Sequence, residues 1–132
     1  MAELEKIVED TAVELLRIAA TELPAEYVEA IERGLKGTEG AVGRAQLGNI
    51  LENVRIARER SLPMCQDTGI VAFMVRVGDG FPLRSRLKEI LVRATRRATE
   101  EVPLRPNAVD MFRGNTGDNA VSYTHLTLPT KA

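Results

Sequence analysis

The sequence has no apolar run approaching the roughly eighteen residues that a membrane-crossing helix needs. Its first residues, MAELEKIVED, are acidic where a secretory or mitochondrial leader would be basic. Nothing in it therefore addresses the chain to a membrane or out of the cell, and a cytoplasmic location is the expectation. There is one cysteine, Cys65, so no internal disulfide is possible, which fits a reducing compartment. That lone thiol leaves two readings, an inert packed group or a metal ligand. There is one histidine, His125, and no excess of either charge, the formal net charge being -1.

What is present is enough for one globular domain: 132 residues, 44% of them hydrophobic. Leu4, Val8, Ala12, Leu15 and Ala19 recur at helical spacing and predict a first amphipathic helix from about Ala2 to Glu22. Leu23-Pro24 ends it, and Pro24 suits the first turn of a second helix. That helix has Tyr27, Val28, Ile31 and Leu35 as its apolar face and stops at Gly37, so the two form a helical hairpin. After a Gly-rich turn from Gly37 to Gly43, Leu47, Ile50, Leu51, Val54 and Ala57 mark a third helix ending near Arg60. Ile70 to Val75 is a short apolar run between a polar loop and Gly78-Asp79-Gly80, and reads as a strand buried on both faces. Leu83, Leu87, Ile90, Leu91, Ala94 and Ala98 predict a fourth helix, and Pro103, Pro106, Gly114 and Gly117 punctuate a final stretch of mostly loop. The fold class expected is α/β: N-terminal helices, a buried strand and a further helix. One strand makes no sheet, so this is an incomplete piece of a larger mixed domain.

The run Val121-Ser122-Tyr123-Thr124-His125-Leu126-Thr127-Leu128-Pro129-Thr130 resembles the in-frame translation of a transposase adapter used in preparing sequencing libraries. The other reading is a genuine Thr-rich strand. On the first reading residues 1–119 are the native portion and 120–132 a non-native tail, which is excluded from fold reasoning like any fusion scar. His125 then carries no catalytic weight.

Two loops hold the polar side chains that chemistry would need. Pro63-Met64-Cys65-Gln66-Asp67-Thr68-Gly69 sets a thiol, an amide, a carboxylate and a hydroxyl in succession. Leu104-Arg105-Pro106-Asn107-Ala108-Val109-Asp110, followed by Asn115-Thr116-Gly117-Asp118-Asn119, adds a cation, amides and turn N–H groups suited to a carboxylate. Taken singly, each also reads as an ordinary turn-rich loop. Taken together, CQDTG leading into an apolar strand, then LRxxxVD, then NTGDN, resemble the N-terminal part of the α region of class I fumarate hydratases and L-tartrate dehydratases. The resemblance runs from the first helices to Asn119.

The resemblance implies an iron–sulfur hydro-lyase that adds water to, or removes it from, a small dicarboxylic acid. Its [4Fe-4S] cluster would be held by three cysteines, with the fourth iron open as a Lewis acid toward the substrate. By motif position Cys65 would be one cluster ligand, Gln66 and Asp67 would approach the substrate, and Arg105 would pair with a substrate carboxylate through its bidentate fork. Asn115, Thr116 and Gly117 would shape the pocket. The spacing before Asn115 is one residue tighter than in some members of the family, and Arg113 is assigned no role. Fumarate, tartrate and related hydroxy-dicarboxylates stay open as substrates. The partner implied is a β subunit or C-terminal β domain, in a homodimer or heterotetramer.

The chain departs from the family pattern in lacking the other two cysteines. As given it is expected to bind no stable cluster, to be inactive, and to be poorly soluble with an unsatisfied apolar strand. A different class of reading starts from Arg84, Arg86, Lys88, Arg93, Arg96 and Arg97, which could be the footprint of a small helical nucleic-acid-binding module, and a third gives the helical hairpin a structural or protein-interaction role, both without catalysis. These cations lie opposite an apolar stripe with no aromatic interleaved, so a solvated helix face is expected instead, and neither nucleic acid nor membrane as a partner.

Overall fold

The computed structural model describes residues 1–65, 67, 69–102 and 104–120. Gln66 and the adapter-like run, with His125, lie outside the described residues. Four helices appear in chain order: α1 (Ala2–Thr21), α2 (Ala25–Gly37), α3 (Ala41–Arg60) and α4 (Leu87–Glu101). They are followed by a two-stranded antiparallel hairpin, β1 (Val109–Asp110) and β2 (Gly114–Asn115), which pairs Val109 with Asn115 and Asp110 with Gly114. The described chain is thus mostly helical with one small sheet.

The helices form where the apolar periodicity places them, but they pair differently. α1 packs on α4, α2 packs on α3, and α1 meets α3 only lightly. The expected hairpin of the first two helices is therefore corrected to one made by α2 and α3, whose connection is only residues 38–40. Gly43 lies inside α3, so the Gly-rich turn is shorter than composition suggested. The α1–α4 contact follows from size: Ala12 on α1 and Ala94 and Ala98 on α4 are buried, and small side chains let two helices approach closely. Val13, Val102 and Leu104 complete that core, with Leu16, Ala20, Leu91 and Phe73 packed at its margin. Thr95 and Thr99 also face inward, and each hydroxyl donates back to the carbonyl one turn earlier, so burial leaves neither unsatisfied.

Two more expectations change. Ile70 to Val75 forms no sheet among the described residues and is not buried on both faces: Ile70, Met74 and Val75 are exposed while Phe73 reaches the core. The reason is that a strand must pass its backbone hydrogen bonds to a neighbour, and no described segment is bonded to this one as a ladder. α4 begins at Leu87, because residues 82–86 form successive turns, with Arg84 N–H donating to the Phe81 carbonyl and Arg86 N–H to that of Leu83. Leu83 is nonetheless fully buried, so its apolar signal reported the core rather than the helix.

Candidate functional site

The CQDTG loop is held at its root by α3 and the end of α1. α3 ends at Ser61 in the left-handed region (φ 51°), and Leu62 N–H closes the last turn onto the Ala57 carbonyl at 3.0 Å. Met64 then donates its N–H to the Ala20 carbonyl at the end of α1 (2.9 Å), and its own carbonyl accepts from the Asn53 side chain on α3 (2.6 Å). Both polar groups of the residue before Cys65 are thereby fixed. Cys65 itself is exposed, and its thiol donates to the Asp67 carbonyl at 2.9 Å. Asp67 is exposed too, and its Oδ1 accepts from Gly69 N–H at 3.1 Å, the Asx turn that the residue order predicts.

The second loop reaches the first through one side chain. Asn107 Nδ2 donates to Asp67 Oδ1 at 3.0 Å, across forty residues of sequence. The structure thus brings Asp67 and the Arg105–Ala108 segment together. Arg105 is exposed and its carbonyl accepts from Asn107 N–H (2.9 Å) and from Asn119 Nδ2 (3.0 Å).

The NTGDN residues act as a brace for this segment. Asn115 Nδ2 donates to the Pro106 carbonyl at 2.7 Å, and its Oδ1 accepts Gly117 N–H at 2.8 Å. Asn119 is buried at φ 55°, accepts Ala108 N–H at 3.1 Å and also donates to Thr99 on α4 at 3.3 Å. Asn tolerates a positive φ better than most residues, which suits it to this corner. Asp118 is pushed up by partial burial, but hydrogen bonds from Thr116, Ala120 N–H and Arg96 outweigh this and hold its carboxyl below the ordinary value. At the hairpin tip Asp110 Oδ1 accepts both Arg113 and Phe112 N–H at 2.8 Å, and these bonds, Arg113's first, lower its carboxyl likewise. Asn115, Thr116 and Gly117, the residues expected to shape a pocket, make their hydrogen bonds within the chain.

The arginines of the alternative reading are engaged elsewhere. Arg93 meets Glu9 at 2.9 Å, Arg97 meets Glu9 and Asp10 at 2.9 and 2.8 Å, and Arg86 pairs with Glu5, all across the α1–α4 contact. Arg96 reaches Asp118 and Arg84 reaches Asp79, each at 2.9 Å. Glu5, Glu9 and Asp10 on α1 therefore pair with Arg86, Arg93 and Arg97 along the α1–α4 seam, and the arginine side chains keep the solvent exposure expected of a solvated face. An open groove lies along this seam, lined by Glu5, Glu9, Asp10, Arg93 and Arg97, and shares no lining residue with the two loops.

Of the residues predicted for the site, Cys65, Asp67 and Arg105 lie on these two loops, and Gln66 lies outside the described residues. Asn53, Asn107 and Asn119 were missed as contributors. Asn107 and Asn119 stood inside the quoted motifs, but an amide's role depends on which backbone groups lie beside it, and sequence does not display that. As a metal site the described residues are insufficient: no three His, Cys, Asp or Glu side chains among them converge, and the whole chain has one cysteine. An exposed thiol on an anchored loop suits one corner of a cluster, but this chain alone does not fit a group that needs several thiolates.

A family model described as fumarate hydratase (Fumerase) matches residues 9–131, a span that includes the adapter-like run. A Methanocaldococcus jannaschii protein provisionally named L(+)-tartrate dehydratase subunit alpha is 36% identical over 120 residues, covering 86% of this chain and 42% of its own. The L(+)-tartrate dehydratase subunit alpha of Escherichia coli K12 is 36% identical over 104 residues, covering 78% of this chain and 34% of its own. The chain belongs to the class I fumarate hydratase and tartrate dehydratase family. It spans between about a third and two-fifths of the length of these curated relatives. No helix among the described residues is long and apolar enough to cross a membrane.

Proposed function

We propose that residues 1–119 are the N-terminal portion of the α region of a cytoplasmic iron–sulfur hydro-lyase. The reaction is the reversible hydration of fumarate, or the dehydration of tartrate or a related hydroxy-dicarboxylate. Residues 120–132 are proposed as a non-native tail. The observation that carries the reading is the Asn107–Asp67 hydrogen bond, which joins the two loops whose combination distinguishes this family from ordinary turn-rich chains. The relatives' names describe α subunits, which supports a β subunit or β domain as the working partner, in a homodimer or heterotetramer.

In this reading Cys65 supplies one thiolate of a [4Fe-4S] cluster, whose remaining ligands come from outside this chain. Arg105 pairs with a substrate carboxylate, and Gln66 and Asp67 flank the substrate at its reacting end. The test is a steady-state assay of the longer gene product, assembled with its partner, on fumarate, malate and L-tartrate. Interconversion of one of these pairs of acid and dehydrated product is expected. Arg105→Lys, which keeps the charge and loses the bidentate fork, is expected to raise KM about tenfold or more, in line with a lost charge-assisted bond. A gene product inert on all three acids, or an Arg105→Lys variant with an unchanged KM, contradicts the reading.

A further inference from the structure

We propose that Asn107 is a positioning residue for Asp67, a role that rests on the hydro-lyase reading of the site just given. Asp67 sits on an exposed loop, where a carboxylate would ordinarily turn freely. Here Oδ1 is taken by two donors of different origin: Gly69 N–H from its own loop at 3.1 Å, and Asn107 Nδ2 from the second loop at 3.0 Å. One donor leaves the carboxylate free to rotate about the bond it accepts. Two donors from separate segments fix its plane, commit Oδ1 to the chain and leave Oδ2 as the oxygen that meets a ligand.

Asn107 can do this because its own backbone is held. Its N–H donates to the Arg105 carbonyl at 2.9 Å, and the residues on either side are gripped by the NTGDN amides: the Pro106 carbonyl by Asn115 at 2.7 Å and Ala108 N–H by Asn119 at 3.1 Å. Asn119 in turn is tied to Thr99 on α4. The orientation of Asp67 is thus set from the helical core through a chain of amides, and the same segment carries Arg105. One short piece of backbone therefore fixes the relative placement of a carboxylate and a guanidinium proposed to act on one substrate. Placement of this kind governs rate more than affinity, because a small misalignment of a reacting group is felt in the transition state.

The experiment compares Asn107→Ala, Asn107→Asp and Asp67→Asn in the longer gene product assembled with its partner, reading kcat, KM and the thermal midpoint. Asn107→Ala is expected to lower kcat about 10- to 100-fold with KM within about twofold and an unchanged midpoint. Asn107→Asp is expected to do worse, since it removes the donor and sets a second carboxylate against the first. Asp67→Asn losing activity while Asn107→Ala keeps the parent kcat would overturn the proposal and leave the site reading intact. A loss in Asn107→Ala spread over kcat, KM and midpoint together marks a structural role and also overturns it. Full activity in Asp67→Asn sinks the site reading itself, and this inference with it.

Discussion

At the residue scale the site is a matter of amides doing backbone work. Asn119 is the clearest case, because it is buried, sits at φ 55° and serves one N–H and two oxygen acceptors on two segments, residues 105–108 and α4. Replacing it with Ala leaves the buried Ala108 N–H without its partner, takes one of two donors from the Arg105 carbonyl and keeps a positive φ with no side-chain compensation. Asn119→Ala is expected to destabilise the fold by about 1–3 kcal/mol, the cost of leaving buried polar groups unmet. Urea unfolding measures this, and a loss below about 0.5 kcal/mol, the size of an ordinary surface change, would show that the brace carries no weight. Cys65 has the opposite character. It is exposed and contributes little to packing, and under the proposed function it would serve as a thiolate ligand.

At the element scale, α1 and α4 are joined by two means: small apolar residues at the centre and a belt of ion pairs around them. The belt carries a pH signature. A hydrogen bond from Arg97, and after it one from Arg93, outweighs burial and lowers Glu9 from its ordinary 4.5; Arg97 first and Lys6 next lower Asp10 from its ordinary 3.8. Groups whose folded pKa is depressed stabilise the fold fully above those unfolded values, and the contribution is lost as the pH falls through the folded ones. The thermal midpoint is therefore expected to drop as the pH falls below 4.5, and less steeply in Arg97→Gln. Parallel curves for parent and variant would refute the belt as a source of acid sensitivity. All four helices were legible because apolar spacing is a local signal. Their pairing was not: α1 meets α4 across more than 80 residues of sequence, and nothing in the spacing of Leu4 or Val8 names a partner. Ile70 to Val75 misled because an apolar, β-branched run looks the same whether it has sheet neighbours or is a loop that sends one side chain, here Phe73, to the core. The two loops were legible as exposed polar segments through Cys65, Asp67 and Arg105. Their joining through Asn107 depends on three-dimensional proximity alone.

At the scale of the whole molecule, the described surface carries more apolar side chains than its small core explains. Met74 is 98% exposed, and Met111 and Phe112 at the hairpin tip are 81% and 94% exposed. Large exposed apolar groups are characteristic of surfaces that meet other protein. That agrees with a chain matching about a third to two-fifths of its relatives' length and with one thiol where a cluster asks for more. Cys65 is proposed above as a cluster ligand of a hydro-lyase. The most direct test is anaerobic reconstitution of the longer gene product with its partner, parent against Cys65→Ser, reading iron per chain, visible absorbance and hydro-lyase rate together. The account predicts about four irons and a broad visible band in the parent, with iron, band and rate all lost in Cys65→Ser while the fold persists. A Cys65→Ser protein that keeps its iron and its rate would contradict it.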